Sequence, residues 1–238
     1  MYHHQERKIS SRLICFLPYL YKKRSKLTIT VIIIIITVLI SISAFSNEKI
    51  MNDLIFYPPA VANNNQYYRF ITCGFIHADY GHLIFNMLSL FLFGQIVEEG
   101  FKYIFGSAGT ILYLAMYILA LIVSLLPTYF KNSNNSYYRS LGASGAVSAV
   151  IFAGIMLEPN NKIGLLIFPI MIPGFVFGPL YLLISAWLDR KGGDNINHSA
   201  HIWGALFGVL FLIVAGQATG EYNAVEEFVT KVRYYFNS

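Results

Sequence analysis

The sequence is poor in charge: charged residues form 12% of its 238 positions, whereas hydrophobic residues form 56%. A soluble domain carries about twice this share of charged residues. So few charges cannot cover the surface of a folded chain of this length. The composition therefore excludes an ordinary water-soluble domain and predicts that lipid surrounds much of the protein.

Cysteine is also scarce. The two cysteines, Cys15 and Cys73, lie on opposite sides of the first long hydrophobic run, so we expect no internal disulfide. The sequence contains no CxxC or zinc-ligand pattern, and we expect neither a metal nor another cofactor.

The hydrophobic residues are concentrated in runs long enough to cross a membrane, which takes about 20 helical residues for about 30 Å of hydrocarbon. A membrane β-barrel would instead show short alternating strands. Since backbone groups in lipid must find partners within their own segment, the runs predict an all-α bundle of six transmembrane helices. The predicted spans are residues 27–45, 81–97, 105–126, 141–157, 163–187 and 199–217.

Acidic and basic residues are missing from the middle of all six spans. Ion and substrate pathways through membranes use such residues, and many transporters also carry an inverted pair of interrupted helices, which is absent here. Both absences weigh against a transporter or channel. Span five contains Pro169, Pro173 and Pro179, so we expect it to be kinked.

Basic residues cluster before the first span, and this flank is cytoplasmic by the positive-inside rule. With six spans both termini are cytoplasmic, and the positive charge needs no nucleic-acid partner. The first run is longer than the apolar core of about 7 to 15 residues in a signal peptide, so we expect it to be a retained span. The chain then divides into a basic arm at 1–26, a membrane domain at 27–217 and a cytoplasmic tail at 218–238.

The longest connection, residues 46–80, is external on this topology, and a loop of this length is usually functional or has structure of its own. Spans two, four and six run from outside to inside, so their N-terminal ends meet near the external face. Unusual polar residues lie at those ends. At the start of span two, His82 and Asn86 share a helical face and can aim N–H donors at one point, although ordinary hydrogen bonds between helices are an alternative.

Span four begins with Gly142-Ala-Ser144-Gly145. Small residues in membrane helices commonly permit close packing, but glycines beside Ser144 also let a substrate approach a serine nucleophile. Span six carries His198 and His201, and an intramembrane histidine is a functional candidate unless it simply faces water.

Gly204 and Gly208 give span six a small-residue face that would press it against span four and bring His201 toward Ser144. A serine is a weak nucleophile until a base takes its proton, and His201 can be that base. The N–H of Ser144, with His82 and Asn86, can stabilise the oxyanion. Because no carboxylate lies near the pair in sequence, we predict a dyad.

The H-x4-H-x3-N of His77, His82 and Asn86, the G-A-S-G around Ser144 and the A-H-I-x-G-x3-G around His201 resemble, in order and on alternate helices, the motifs of the rhomboid family of intramembrane serine proteases. The similarity covers roughly residues 55–217. It implies a rhomboid-like fold, Ser144 as nucleophile, His201 as general base, and oxyanion donors at His82, Asn86 and the Ser144 N–H.

The resemblance also implies supporting roles. Tyr68-Arg69 resembles the family's Trp-Arg pair, and Glu98 matches the acid that pairs with that arginine. Phe85 matches a position associated with lateral access of substrates near span five. The remaining residues with an implied structural role are His77, Gly142, Gly145, Gly204 and Gly208.

The sequence departs from the family at Ser148, where well-known members carry an aromatic residue that stacks on the histidine. Either the Ser148 hydroxyl hydrogen-bonds the imidazole, or an aromatic from elsewhere, such as Trp203 or Phe152, stacks on it. We favour the hydroxyl, because a serine in a membrane gains from a partner outside its own helix.

The predicted function is hydrolysis of peptide bonds in or beside the transmembrane segments of other membrane proteins, without a metal or cofactor. The resemblance implies single-pass substrates with a small residue before the cleaved bond. The site would open to the external face of the cell inner membrane or plasma membrane. The rival is a catalytically silent relative that binds membrane proteins, but such relatives typically lack the serine or the histidine and this chain has both.

Overall fold

The computed structural model describes residues 27–165 and 168–237. A two-stranded antiparallel hairpin of β1 (Lys162–Leu165) and β2 (Phe168–Pro173) lies among helices. The helices, in chain order, are α1 (Ile29–Phe45), α2 (Glu48–Leu54), α3 (Pro58–Asn64), α4 (Arg69–Thr72), α5 (Tyr80–Phe105), α6 (Gly109–Asn132), α7 (Ser144–Leu157), α8 (Gly174–Lys191), α9 (His198–Thr219) and α10 (Ala224–Asn237). The predicted basic arm at 1–26 falls outside the described residues.

The prediction of a mainly helical protein is confirmed, with a correction in span five. The part of span five before Gly174 was expected to be helical, but residues 163–165 and 168–173 lie in β1 and β2, and α8 begins only at Gly174. Pro169 and Pro173 explain the difference, because a proline holds the preceding residue in extended backbone and lacks an N–H for a helix. Pro179 is accommodated inside α8.

Two continuous helical segments in the described ranges are long and apolar enough to cross a membrane. They are Tyr80–Asn132, which contains α5 and α6, and His198–Thr219, which is α9. Helices α1 and α7 are apolar but shorter. These helices coincide with five of the predicted spans, and the six-span topology stays a prediction.

Helix α7 forms the centre of the bundle. It packs against α5, α6 and α9, and twelve of its fourteen residues are buried. Gly204 and Gly208 of α9 lie on the backbone of Gly145 and Ala149, where an added Cβ atom would overlap carbonyl oxygens. The small residues therefore let α7 and α9 approach more closely than helices with larger side chains can.

The long connection does have structure of its own. It folds into α2, α3 and α4, and the buried Arg69 holds them together. The guanidinium of Arg69 donates to the carbonyl oxygens of Asn52 (2.8 Å) and Ile55 (2.7 Å) and to the side-chain oxygen of Gln66 (2.6 Å).

Glu98 has other partners, so the expected Arg69–Glu98 salt bridge is wrong. The Glu98 carboxylate is 1% exposed and accepts hydrogen bonds from the backbone N–H groups of Ile29 (3.0 Å) and Thr30 (2.9 Å). The Thr30 hydroxyl (2.8 Å) and the Lys102 ammonium (2.6 Å) complete its shell. A negative charge suits this place, because the first N–H groups of α1 have no partner within the helix.

The tail forms the short helix α10, which packs back on the bundle. The Lys231 ammonium lies 2.9 Å from the Glu158 carboxylate and also donates to the Leu157 carbonyl at the end of α7. Phe175, in the first turn of α8, makes an edge contact with Tyr235 of α10. The C-terminal helix thus touches the C-terminal end of α7 and the first turn of α8.

Candidate active site

Ser144 and His201 meet where α7 and α9 cross. Ser144 is the first residue of α7, and His201 lies in the first turn of α9. The imidazole Nε2 of His201 is 2.7 Å from the hydroxyl oxygen of Ser144, which is hydrogen-bonding distance. Both residues are half-buried.

His198, the other histidine of α9, has a different partner. Its Nε2 lies 3.0 Å from a carboxylate oxygen of Asp194, and this hydrogen bond lowers the pKa of the exposed Asp194 carboxyl. The His198 ring contacts His201 edge-on, with ring centroids 5.8 Å apart. Of the two histidines, His201 is therefore the one placed to take a proton from Ser144.

The segment before Ser144 is tied to the long connection between α1 and α5. Ser140 and Phe56 exchange two backbone hydrogen bonds, and the Gly142 N–H donates to the Cys73 carbonyl at 2.9 Å. Gly142 has a φ of +110°, and a Cβ atom there would lie 2.6 Å from the His82 ring. Only glycine meets both demands, because other residues rarely adopt this backbone conformation.

His77 joins α1 to this segment. Its Nδ1 is 3.0 Å from the Ser41 hydroxyl, which itself donates to the Phe75 carbonyl, and its Nε2 is 3.5 Å from the Ala143 N–H. Burial lowers the pKa of His77 to about 3, so the ring is neutral. Its Nδ1–H then donates to Ser41 while Nε2 accepts from Ala143, the residue before Ser144.

The predicted oxyanion donors lie beside this segment. The half-buried His82 ring sits against Gly142 and edge-on to His77, with ring centroids 4.9 Å apart. Asn86 is buried one turn later, and its Nδ2 donates to the His82 carbonyl at 2.9 Å, which leaves its second N–H for another acceptor. Helix α7 begins without a side-chain cap, so its first N–H groups lack partners within the helix.

The hydrogen bond expected between Ser148 and the imidazole is replaced by another one. The Ser148 hydroxyl is 3.1 Å from the hydroxyl of Tyr181. The Tyr181 ring lies beside the His201 imidazole, with centroids 6.5 Å apart and planes inclined by 27°. An aromatic from elsewhere thus stacks on His201, but it belongs to α8 and is neither of the two expected rings.

The two rings considered from sequence have other surroundings. Trp203 is 46% exposed, and Phe152 contacts the Tyr181 ring at a centroid distance of 5.6 Å. Tyr181 gave no signal of its own, because it is one of 17 tyrosines and lies in an ordinary apolar run. Ser41 was equally inconspicuous, although serine and threonine recur on the buried face of α1.

Phe85, to which the resemblance gave a role in substrate access, is 60% exposed on α5. It therefore points away from the bundle, and its role in access stays a prediction. Within residues 27–165 and 168–237, no cluster of three or more His, Cys, Asp or Glu side chains could hold a metal ion.

The fold and this site define a helical bundle with a serine–histidine pair near the ends of two apolar helices. The Rhomboid domain family model matches residues 64–218, which is more than half of the chain. The chain therefore belongs to the rhomboid family, as its motifs predicted. Members of this family are integral membrane proteins and generally intramembrane serine proteases.

Individual relatives agree with this assignment. RHOMBOID-like protein 12, mitochondrial, of Arabidopsis thaliana is 31% identical over 143 residues, which cover 57% of this chain and 42% of the relative. Presenilin-associated rhomboid-like protein A, mitochondrial, of Danio rerio is 29% identical over 145 residues, which cover 60% and 36%. Rhomboid-like protein 11, chloroplastic, of Arabidopsis thaliana is 26% identical over 153 residues, which cover 61% and 51%. The chain thus spans about half or less of these relatives.

Proposed function

We propose that this protein is an intramembrane serine endopeptidase that uses Ser144 as its nucleophile and His201 as its general base. The distance of 2.7 Å between the His201 Nε2 and the Ser144 hydroxyl carries the proposal. The Ser144 hydroxyl lies at the start of a helix, within hydrogen-bonding distance of a half-buried imidazole. Serine hydrolases arrange their nucleophile and base in this way.

In the proposed reaction, Nε2 of His201 takes the Ser144 hydroxyl proton while the oxygen attacks the carbonyl carbon of the scissile peptide. The carbonyl oxygen becomes negative and accepts hydrogen bonds from the Ser144 N–H, Asn86 and His82. When the peptide C–N bond breaks, the imidazolium gives its proton to the leaving amine. Water, deprotonated by His201, then hydrolyses the ester on Ser144.

The proposed substrates are membrane proteins with a transmembrane helix, which family membership supports. A peptide bond inside a helix is shielded by its hydrogen bonds, so a segment that unwinds readily, with a small residue before the cleaved bond, suits the site best. The resemblance associates the position of Phe85, which is exposed, with lateral access of such a segment.

A cleavage assay with purified protein and a panel of transmembrane reporter substrates tests the proposal. We expect Ser144→Ala and His201→Ala each to reduce cleavage to near background, and the double variant to be scarcely worse, because nucleophile and base act as one unit. His198→Ala distinguishes the two histidines of α9 and should retain more activity than His201→Ala, because His198 has Asp194 and not Ser144 as its hydrogen-bond partner. Cleavage by Ser144→Ala, or wild-type protein that binds the reporters without cleaving them, would favour the silent binder.

The proposed topology has six spans, with both termini in the cytoplasm and the site open to the external face of the cell inner membrane or plasma membrane. The named relatives are mitochondrial and chloroplastic, so the orientation needs its own test. Tyr137 is 94% exposed in the connection between α6 and α7, and Tyr137→Cys should react with an impermeant thiol reagent on intact cells.

Native cysteines are the controls for this labelling. Cys73 is buried, and burial raises the pKa of its thiol to about 12, so it should stay unmodified. Cys15 should react only after the cells are permeabilised. Labelling of Cys15 in intact cells without labelling at position 137 would contradict the proposed orientation.

A further inference from the structure

The His201 imidazole has a ring neighbour on each of two helices. The edge of His198 approaches it from its own helix, with centroids 5.8 Å apart. Tyr181 of α8 lies nearly parallel to it, with centroids 6.5 Å apart and planes inclined by 27°. These separations are within the range of favourable aromatic pairs. Together the two rings restrict rotation of the imidazole about its Cβ–Cγ bond.

The Tyr181 ring is itself held in place. Its hydroxyl is 3.1 Å from the hydroxyl of Ser148, one turn after the nucleophile on α7. Phe152 of α7 and Phe177 of α8 contact the ring with centroid distances of 5.6 and 5.8 Å. Ser148 therefore affects His201 indirectly, because it fixes the position of Tyr181, which lies beside the imidazole.

We propose that Tyr181 is a positioning residue that keeps the His201 imidazole aimed at Ser144, with Ser148 as its anchor. The inference rests on the proposed function, in which His201 is the base. The orientation of the His201 imidazole then depends on the position of α8. This helix has three buried residues out of eighteen. A substrate helix that displaces α8 would thus also act on the base.

The first test compares variants at position 181 in the cleavage assay. Tyr181→Leu keeps an apolar side chain but removes the ring, and we expect kcat to fall about ten- to a hundredfold with little change in KM, because a small misplacement of a catalytic group is costly. Tyr181→Phe and Ser148→Ala each remove only the anchoring hydrogen bond, so we expect losses of about two- to fivefold. The combined Tyr181→Phe/Ser148→Ala variant should be no worse than either.

Trp187→Ala is the matched control, because it removes a ring from the same helix that does not contact His201. It should leave kcat unchanged. A Tyr181→Leu protein that is as stable and as active as the wild type would overturn the proposal. A rise in KM with unchanged kcat would also overturn it, since Tyr181 would then contact the substrate.

Moving the aromatic ring from position 181 to position 148 gives a further test. The same substitution, Ser148→Tyr, should lower kcat in the wild type and raise it in the Tyr181→Ala background. Ser148→Tyr alone should damage the enzyme, because a second ring overfills the buried space next to Tyr181. In the Tyr181→Ala background the same substitution has room to stack on the imidazole from α7. We expect the double variant Ser148→Tyr/Tyr181→Ala to exceed both single variants in kcat. Activity no higher than that of Tyr181→Ala would count against positioning by a ring.

A spectroscopic measurement separates this inference from the proposed function. In spectra of protein labelled with ¹⁵N in its histidine rings, the His201 signal is the one lost in His201→Ala. Ser144→Ala should shift this signal by removing the hydrogen bond to Nε2, and Tyr181→Leu should shift it in the same direction, whereas Trp187→Ala should not. If the wild type cleaves nothing, the proposed function fails, and the spectra still decide: an unshifted His201 signal in Tyr181→Leu overturns the positioning role.

Discussion

Helices α7 and α8 supply the groups next to the His201 imidazole, yet the bundle holds them very differently. Twelve of fourteen residues are buried in α7, against three of eighteen in α8. The proposed nucleophile, Ser144, therefore belongs to the tightly packed part of the protein, and the ring beside the proposed base belongs to a peripheral helix. Displacement of α8 would move that ring and leave Ser144 in place.

The contacts of the two helices also differ in kind. Helix α7 touches α9 through backbone, because Gly204 and Gly208 leave no side chain between them. Helix α8 touches α7 through the rings of Tyr181 and Phe152. Backbone contacts cannot adjust without moving a helix, whereas ring contacts can slide, so the α7–α9 contact should tolerate change much less.

The same substitution at two glycines tests this difference and should have the largest effect. In Gly208→Ala the new Cβ atom would overlap the carbonyl group of Ala149, so we expect a stability loss of about 2 to 3 kcal/mol and a severe loss of cleavage. In Gly178→Ala of α8 the Cβ atom would lie 3.5 Å from Phe152 and 3.7 Å from Ile155, which is ordinary contact.

We therefore expect Gly178→Ala to be neutral or stabilising by about 0.5 to 1 kcal/mol, since alanine favours a helix more than glycine does. Thermal unfolding in detergent micelles measures both variants. Equal losses at the two positions would mean that α8 is held as tightly as α7.

The tightly packed part is also the part that could be predicted from the sequence. Ser144, His201 and the two glycines of α9 stand in local motifs, and a motif within one helix is visible as spacing along the chain. Their meeting across α7 and α9 followed from small residues on the facing surfaces. The family assignment followed from the same residues.

The peripheral contacts could not be predicted in this way, because they join residues far apart in sequence. Tyr181 reaches Ser148 across 33 positions, and Glu98 reaches Thr30 across 68. Backbone N–H groups at the start of α1 leave no trace in the sequence, and the pairing of Glu98 with Arg69 came from the resemblance alone. The hairpin before α8 was predictable in principle, since Pro169 and Pro173 disfavour a helix.

Replacing Asn86 on α5 should have a somewhat smaller effect than Gly208→Ala. We expect Asn86→Ala to lower kcat about ten- to a thousandfold with little change in KM, which is the scale of losing one oxyanion donor. The ¹⁵N signal of His201 should stay in place, unlike in Tyr181→Leu, because Asn86 acts on the substrate oxygen and not on the base. Ile84→Ala, on the exposed side of α5, is the control. A raised KM with unchanged kcat would assign Asn86 to substrate binding.

Helix α1 differs from both α7 and α8. It is peripheral like α8, but a charged side chain holds its first turn in place. Five of its seventeen residues are buried, and the Glu98 carboxylate holds its first turn. We expect the hydrogen bonds between Glu98 and Thr30 to stabilise α1 independently of Arg69, because Arg69 has its own partners in the long connection.

Double-mutant cycles on thermal stability test this independence and should show the smallest effect. Thr30→Val and Glu98→Gln both weaken the same cap, so their combined loss should differ from the sum of the single losses by about 0.5 to 3 kcal/mol. Arg69→Met and Glu98→Gln share no partner, so their losses should add within about 0.5 kcal/mol. Cleavage by Glu98→Gln should persist, because the cap lies at the opposite end of α5 from His82 and Asn86.

Coupling of more than about 1 kcal/mol between Arg69 and Glu98 would restore the salt bridge that the resemblance implied. It would also mean that the long connection and α1 are held as one unit.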